Sequence, residues 1–306
     1  MKLKYLGERK IIDLISSITN TDITDDCAIL ELGKNYILVT TDMINEETHV
    51  PKGANAYQVG WHLVAINLSD LAAKGARPLG IVAALGLPKG HSAEFVEELA
   101  TGMKECCERY STKIIGGDTK DSMHVTAAGT AIGIVSKAEI MLRKGAKPGD
   151  IVCVTGFLGR ASALLRSDKP WEALMIMPRV MEGRKLAKAH VVTSCMDISD
   201  GLATSLYQLG AVNNVGFELY YDKIPVAKEV LSSKLPIEEL VLYSGGDYEL
   251  LLTVKKSKLH EAVKAIGPST KITPVGIVTK NKDILMAKDG VKEIIENRGY
   301  EHFRDI

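Results

Sequence analysis

Short apolar runs that read as strands alternate along this chain with longer stretches whose apolar positions recur at helical spacing. Residues 8–18 predict an amphipathic helix, Cys27–Leu32 a strand, and Tyr36–Val39 a second strand that runs directly into Thr40-Thr41-Asp42. A helix follows in which Leu63, Ile66 and Ala73 share one face, and Gly75 supplies a left-handed cap. Leu79–Leu87 reads as a strand, and a helix from Ser92 to Tyr110 presents Phe95, Leu99, Met103 and Cys106 together. Lys113–Ile115 predicts a short strand ending in Gly116-Gly117-Asp118-Thr119. Met123–Val135 predicts a long one, in which Gly129 and Gly133 mark bulges or close backbone contact.

Gly, Pro and charge cluster over 143–150, which sets a boundary between two α/β units. Beyond it the pattern predicts strands at 151–155, 216–221, 248–254 and 272–279. Helices are predicted at 157–166, 178–189 and 257–266, and after Pro225. Ser199 is the expected N-cap of a further helix that ends near Gly210, and Lys288-Asp289-Gly290 reads as a hairpin turn. The expectation is a mixed α/β chain of two domains, 1–138 and 139–306.

Composition narrows the partners. With 306 residues and 46% hydrophobic content the chain can bury a substantial core, and 38 basic residues balance 38 acidic ones. No net field draws it to nucleic acid or an anionic membrane, so an anionic ligand must be held by local chemistry. The N-terminal segment lacks the apolar core of a signal peptide, and no apolar run is long enough to span a bilayer; a cytoplasmic location is expected. Cys27, Cys106, Cys107, Cys153 and Cys195 show neither zinc nor redox spacing and read as buried, reduced thiols.

Chemistry is suggested by aspartates placed at strand ends and helix starts beside Gly, Ser or Thr: Asp26, Asp42, Asp118, Asp197 and Asp200. Asp70 joins them from inside an apolar helix, where a carboxylate is solvated, caps something, or holds a cation. Converging oxygen ligands of this kind suit Mg²⁺ with phosphates, although each aspartate alone is equally at home in turn and cap chemistry. Gly116-Gly117-Asp118-Thr119 offers backbone N–H groups to a phosphate, or simply makes a tight turn. Arg143 reaches for a phosphate or lies solvated in the linker. His49 meets an anionic substrate or the surface, and Tyr300 and Phe303 stack on a planar ligand or pin the tail. Neither the P-loop sequence nor the kinase Asp-Phe-Gly is present, nor a Gly-x-Ser-x-Gly elbow or His-Glu-x-x-His.

Taken in order, several stretches resemble the thiamine-monophosphate kinase family, within the superfamily of aminoimidazole ribonucleotide synthetase and selenophosphate synthetase. They are Asp25-Asp26-Cys27-Ala28, Thr40-Thr41-Asp42, Asn67-Leu68-Ser69-Asp70-Leu71-Ala72-Ala73, Gly116-Gly117-Asp118-Thr119, residues 143–150, Asp197-Ile198-Ser199-Asp200-Gly201-Leu202, Gly245-Gly246-Asp247-Tyr248-Glu249-Leu250 and Gly299-Tyr300-Glu301-His302-Phe303. The resemblance implies two-domain α/β subunits, a C-terminal α/β sandwich domain, and a homodimer paired through the N-terminal sheets. It implies ATP- and Mg²⁺-dependent phosphorylation of thiamine monophosphate to thiamine diphosphate in a cleft between the domains. Asp26, Thr40, Thr41, Asp42, Asp70, Asp118, Asp197 and Asp200 would hold several Mg²⁺ ions, with Asp70, Asp118 and Asp200 closest to the chemistry. Gly117, Asp118, Arg143 and Ser199 would contact ATP, and His49, Asp247 and Tyr300 the substrate. A related aminoimidazole-ribonucleotide-type synthetase and a non-catalytic nucleotide-binding scaffold stand as alternatives.

Overall fold

The computed structural model describes residues 2–303, which form two sheets joined by one buried helix. The first sheet contains β1 (Ala28–Leu32), β2 (Asn35–Asn45), β3 (Arg77–Leu87), β4 (Ile114–Asp121) and β5 (Thr126–Ser136), in the spatial order β1-β2-β5-β3-β4. All neighbours are antiparallel except β3 and β4. Two expectations change here. Strand β2 continues through Thr40, Thr41 and Asp42 to Asn45, because β5 pairs with it residue by residue over that whole length. Strand β4 does not stop before the glycines: Gly116, Gly117 and Asp118 pair with Val82, Ala83 and Ala84. A Cβ at position 117 would overlap the Ala83 carbonyl oxygen, so this glycine permits close strand approach and makes no turn.

Side chains alternate across the sheet. Leu38, Thr40, Ile44, Ala127, Ala131 and Val135 face inward, under α3 (Ala56–Ala73) and α4 (Ala93–Arg109), which follow α1 (Glu8–Thr19) and the short α2 (Glu46–His49). Gly129 lies beneath the Asn67 side chain and Gly133 beneath Leu71, as close contact requires, and β3 carries an irregularity opposite Gly133. The other face is open. Leu30, Leu32 and Met43 are 58%, 55% and 60% exposed there, an apolar surface with no covering layer among the described residues.

Helix α3 starts on a capping box, with the Asn55 side chain accepting from the Gln58 N–H and Gln58 returning the bond to the Asn55 N–H. It is apolar and buried on nearly every side and ends at Gly75, whose φ of +70° is the predicted left-handed cap. The second sheet packs against it. It comprises β6 (Ile151–Thr155), β7 (Val192–Asp197), β8 (Gly216–Tyr220), β9 (Leu250–Val254), β10 (Ile272–Thr279), β11 (Ile284–Lys288) and β12 (Val291–Ile294), in the order β12-β11-β8-β10-β6-β9-β7. The β11–β12 turn at Asp289-Gly290 has positive φ at both residues, as the hairpin reading requires.

Around this sheet lie α5 (Arg160–Leu165), α6 (Val180–Ala189) and α7 (Leu202–Asn213). Ser199 does not cap α7; Gly201 occupies the N-cap position and makes no side-chain bond there. One apolar cluster runs from the first sheet through α3 into Cys195, Leu186 and Leu252, so the two sheets share a core across the boundary. A second cluster fills the far face of the larger sheet. All five cysteines are free and buried, and among the described residues no helix is long and apolar enough to cross a membrane.

Candidate active site

Four separate segments bring carboxylates to the seam between the sheets. Asp26 precedes β1, Asp42 lies in β2, Asp70 in the last turn of α3, and Asp197 ends β7 with Asp200 just beyond. Ligand oxygens of Asp26, Asp70 and Asp197 all lie within 4.8 Å of one another. Strand and helix backbones fix these positions more tightly than loops could.

The carboxylates of Asp26, Asp70 and Asp197 are each held by a polar side chain, and the backbone of Asp42 by another. Thr40 Oγ1 donates a short hydrogen bond to Asp70 Oδ2. Ser69 Oγ donates to Asp197 Oδ2 at 2.6 Å, from α3 to the end of β7. The Asn67 side chain accepts from the Asp42 N–H at 3.1 Å and donates to the Leu63 carbonyl at 2.9 Å, locking β2 to α3. Asp26 is held differently. Arg143 Nε donates to its Oδ1 at 2.6 Å, and Lys74 Nζ stands 2.7 Å from its Oδ2.

The electrostatics follow from that division. Burial raises the Asp70 carboxyl well above the ordinary range, and the neighbouring charges of Asp42, Asp197 and Asp26 add to the effect. Burial, with Asp26 nearby, pushes Asp42 to about 6 and Asp197 to about 7; burial and the Glu8 charge push Asp200 to about 6. Asp26 goes the other way. Burial opposes its ionisation, but the Lys74 and Arg143 charges overcome that and hold it below the usual value.

The remaining expected residues fall into three groups. His49 and Tyr300 lie beside one another through His302: the His49 and His302 rings are 5.0 Å apart, and the Tyr300 and His302 rings 4.9 Å. Tyr300 N–H also donates to the Asp200 carbonyl at 3.1 Å, which ties this ring wall to the acidic centre. Arg143 reaches the centre too, engaged with Asp26 and, at 3.0 Å, Gln208. The Ser199 carbonyl accepts from Gly246 N–H at 2.7 Å and so pins the Gly245-Gly246 loop beneath Asp200.

Asp118, Gly117 and Thr41 are placed elsewhere. Asp118 is exposed on strand β4, beside Lys120, and shares its sheet row with Ala84, Ala128 and Met43 on the open face. Thr41 turns to the same face and donates to the Gly129 carbonyl at 2.8 Å. Gly117 occupies the row of Asp42, three strands away. Asp247 is enclosed at the start of α5, where it accepts from the Gly159 and Ala161 N–H groups at 2.6 and 3.1 Å, and burial raises it to about 7.

Several participants escaped the sequence reading. Tyr248 has a φ of +52°, unusual for a side-chain-bearing residue, and its phenol feels the charges of Asp42, Asp197, Asp200 and Asp70. Its ring meets His62 edge-on at 6.1 Å. Ser69, which orients the Asp197 carboxylate, and Asn67, which holds the backbone of Asp42, drew attention only as motif neighbours, while Thr40, an expected metal-site residue, orients Asp70. A fully buried lysine, Lys74, carries no periodicity signal at all.

Comparison with known proteins decides the family. Residues 24–135 match the family of AIR synthase related protein, N-terminal domain, and residues 147–287 its C-terminal domain. A thiamine-monophosphate kinase of Methanospirillum hungatei JF-1 is 38% identical over 97% of this chain and 99% of its own. This chain belongs to the thiamine-monophosphate kinase family. The Pyrococcus horikoshii member is 32% identical over 98% of this chain and 97% of its own. Among solved structures, AaThiL complexed with AMPPCP and TMP superposes with a TM-score of 0.87 at 30% identity, over 99% of both chains.

Proposed function

We propose that this protein phosphorylates thiamine monophosphate to thiamine diphosphate, using ATP and Mg²⁺. The single observation that carries the reading is the convergence of Asp26, Asp42, Asp70, Asp197 and Asp200 on one seam, in a chain similar over its full length to thiamine-monophosphate kinases. The solved relative's complex with AMPPCP, an ATP analogue, and TMP supports the same pair of substrates.

The donor set fits hard divalent cations. It consists of carboxylate and hydroxyl oxygens, with one oxygen each of Asp26, Asp70 and Asp197 within 4.8 Å of one another. Asp26, Asp42, Asp70, Asp197 and Asp200 would hold them, with Thr40 keeping Asp70 aimed inward. Bound Mg²⁺ supplies neutralisation of the phosphate oxygens of donor and acceptor. The protein's own contribution is orientation: Ser69 and Thr40 fix two carboxylates against their mutual repulsion, and Asn67 fixes the strand bearing a third. The rings of Tyr300, His302 and His49 form a wall beside Asp200 suited to the flat heterocycles of thiamine. A phosphate monoester acceptor is already largely ionised at neutral pH, so the reaction needs no strong base in the site.

Asp118 retains its proposed role if the open faces of two N-terminal sheets pair in a homodimer. The apolar surface of Leu30, Leu32 and Met43 favours such pairing, and Asp118, on that face, would then serve the partner's cleft. The two domains are proposed as 1–138, for dimerisation and metal binding, and 139–306, completing the cleft; β5 ends at Ser136 and β6 begins at Ile151. Five buried, unpaired thiols suit a cytoplasmic protein.

Product analysis with ATP, Mg²⁺ and a panel of phosphorylated acceptors tests the assignment. Thiamine diphosphate should form; turnover of a different acceptor with none of thiamine monophosphate would refute it.

A further inference from the structure

Lys74 is among the largest fully buried side chains of the described residues, and it sits one helical turn from Asp70 at the C-terminal end of α3. An ammonium has three donors. Here they meet three oxygens: Asp26 Oδ2 at 2.7 Å, the Cys195 carbonyl at 3.0 Å, and Asp25 Oδ1 in a shorter contact. One aspartate would neutralise the lysine, yet the chain gives it a second, drawn from the carboxylate cluster itself. Asp25 and Asp26 on one side, and Lys74 and Arg143 on the other, balance charge for charge within this corner. Both oxygens of Asp26 therefore face a fixed cation. Asp70 and Asp197, by contrast, accept from the hydroxyls of Thr40 and Ser69.

We infer that Lys74 is a resident cation of the acidic centre, its ammonium standing between Asp25 and Asp26 in place of a divalent ion. The chain then takes up one divalent ion fewer than it would with an uncharged residue at position 74. The geometry suits the substitution, because lysine carries a compact point charge on a flexible stem and can be surrounded by oxygens much as a small cation is. Burial makes it persistent, since an ammonium with no exposed surface and three oxygen partners has no solvent to exchange with. The divalent ions then lie toward Asp42, Asp70, Asp197 and Asp200, with Asp26 shared between them and Lys74. This inference rests on the reading of the centre as a Mg²⁺ site.

The test is a count of Mn²⁺ bound per chain, by equilibrium dialysis with spin-resonance detection, in the presence of saturating β,γ-methylene ATP. Wild type, Lys74→Arg and Lys74→Met are compared. Lys74→Arg, which keeps the charge, should bind the wild-type number, and Lys74→Met one ion more. Lys74→Met should also unfold at a lower temperature without metal and recover in Mn²⁺, because an ion that binds only the folded chain stabilises it by mass action. An unchanged count in Lys74→Met overturns the inference. If that variant is unfolded without metal, refolding driven by Mn²⁺ supports the inference, and failure to refold in Mn²⁺ overturns it. A wild-type protein that binds no Mn²⁺ at all would instead remove the metal-centre reading on which the inference stands.

Discussion

Asp42, Asp70, Asp197 and Asp200 are like charges gathered where water is largely excluded, and without a cation they destabilise the fold they belong to. Asp70 lies at their middle and makes the sharpest case. Asp70→Asn should lower kcat by at least about a thousandfold, the scale seen when a charge-stabilising group is removed from an active site. In metal-free buffer it should leave the thermal midpoint unchanged or higher; a fall of several degrees would show that the carboxylate is structural. The pH dependence has a definite sign. These groups bind protons more tightly folded, with values of about 6 to 7 for Asp42, Asp197 and Asp200, than unfolded, near 3.8. Between about pH 4 and pH 7 the folded state therefore holds more protons, and stability declines as pH rises through that window. Metal-free protein should melt at a lower temperature at pH 7.5 than at pH 5.5, and Mg²⁺ should reverse the difference. Melting curves at the two values, with and without Mg²⁺, check both signs.

At the scale of elements, α3 carries the molecule. It covers the first sheet, delivers Ser69, Asp70 and Lys74, and meets α6 where Gly183 faces Ala72. A Cβ at position 183 would overlap the Ala72 carbonyl oxygen, so no side chain can be added without parting the helices. Gly183→Ala should cost about 1–3 kcal/mol, as overpacking of a tight interior does. It should also lower kcat, since a displaced α3 would carry Ser69 away from Asp197 of β7, to which it donates. Urea unfolding and steady-state kinetics measure the two effects; full activity with reduced stability would uncouple the interface from the site. The strength of this element was legible early, because its apolar residues and capping signals are local. Strand β4 was not. Its Gly-Gly-Asp-Thr has turn chemistry when read alone, and only the partner strand β3, distant in sequence, draws it into a sheet.

The whole molecule presents a sheet with one covered face and one open face, and the open face carries Asp118 with exposed Met43, Leu30 and Leu32. Replacing Met43 with Asp should place a charge in the proposed pairing surface and shift the protein to monomers, read by light scattering, with loss of turnover. If Asp118 serves the partner's cleft, inactive Asp70→Asn and Asp118→Asn proteins should complement each other. Half of randomly reassembled dimers are mixed, and each mixed dimer has one intact site, so about a quarter of wild-type activity should return. No recovery after subunit exchange would mean that Asp118 acts within its own chain or not at all.

The sequence by itself determined what local periodicity and motif order can encode: alternating strands and helices, the cap at Gly75, the hairpin at Asp289-Gly290, and a series of aspartates set beside Gly, Ser or Thr. Only the tertiary structure decided which of those aspartates meet. Asp26, Asp70 and Asp197 converge because α3 is wedged between two sheets, whereas Asp118 sits on the opposite face because a strand sends alternate residues to opposite sides. The same packing buried Lys74 among carboxylates. Burial is a property of what surrounds a residue in space, and those surroundings come from segments that lie 48 residues before it, at Asp26, and 121 after it, at Cys195.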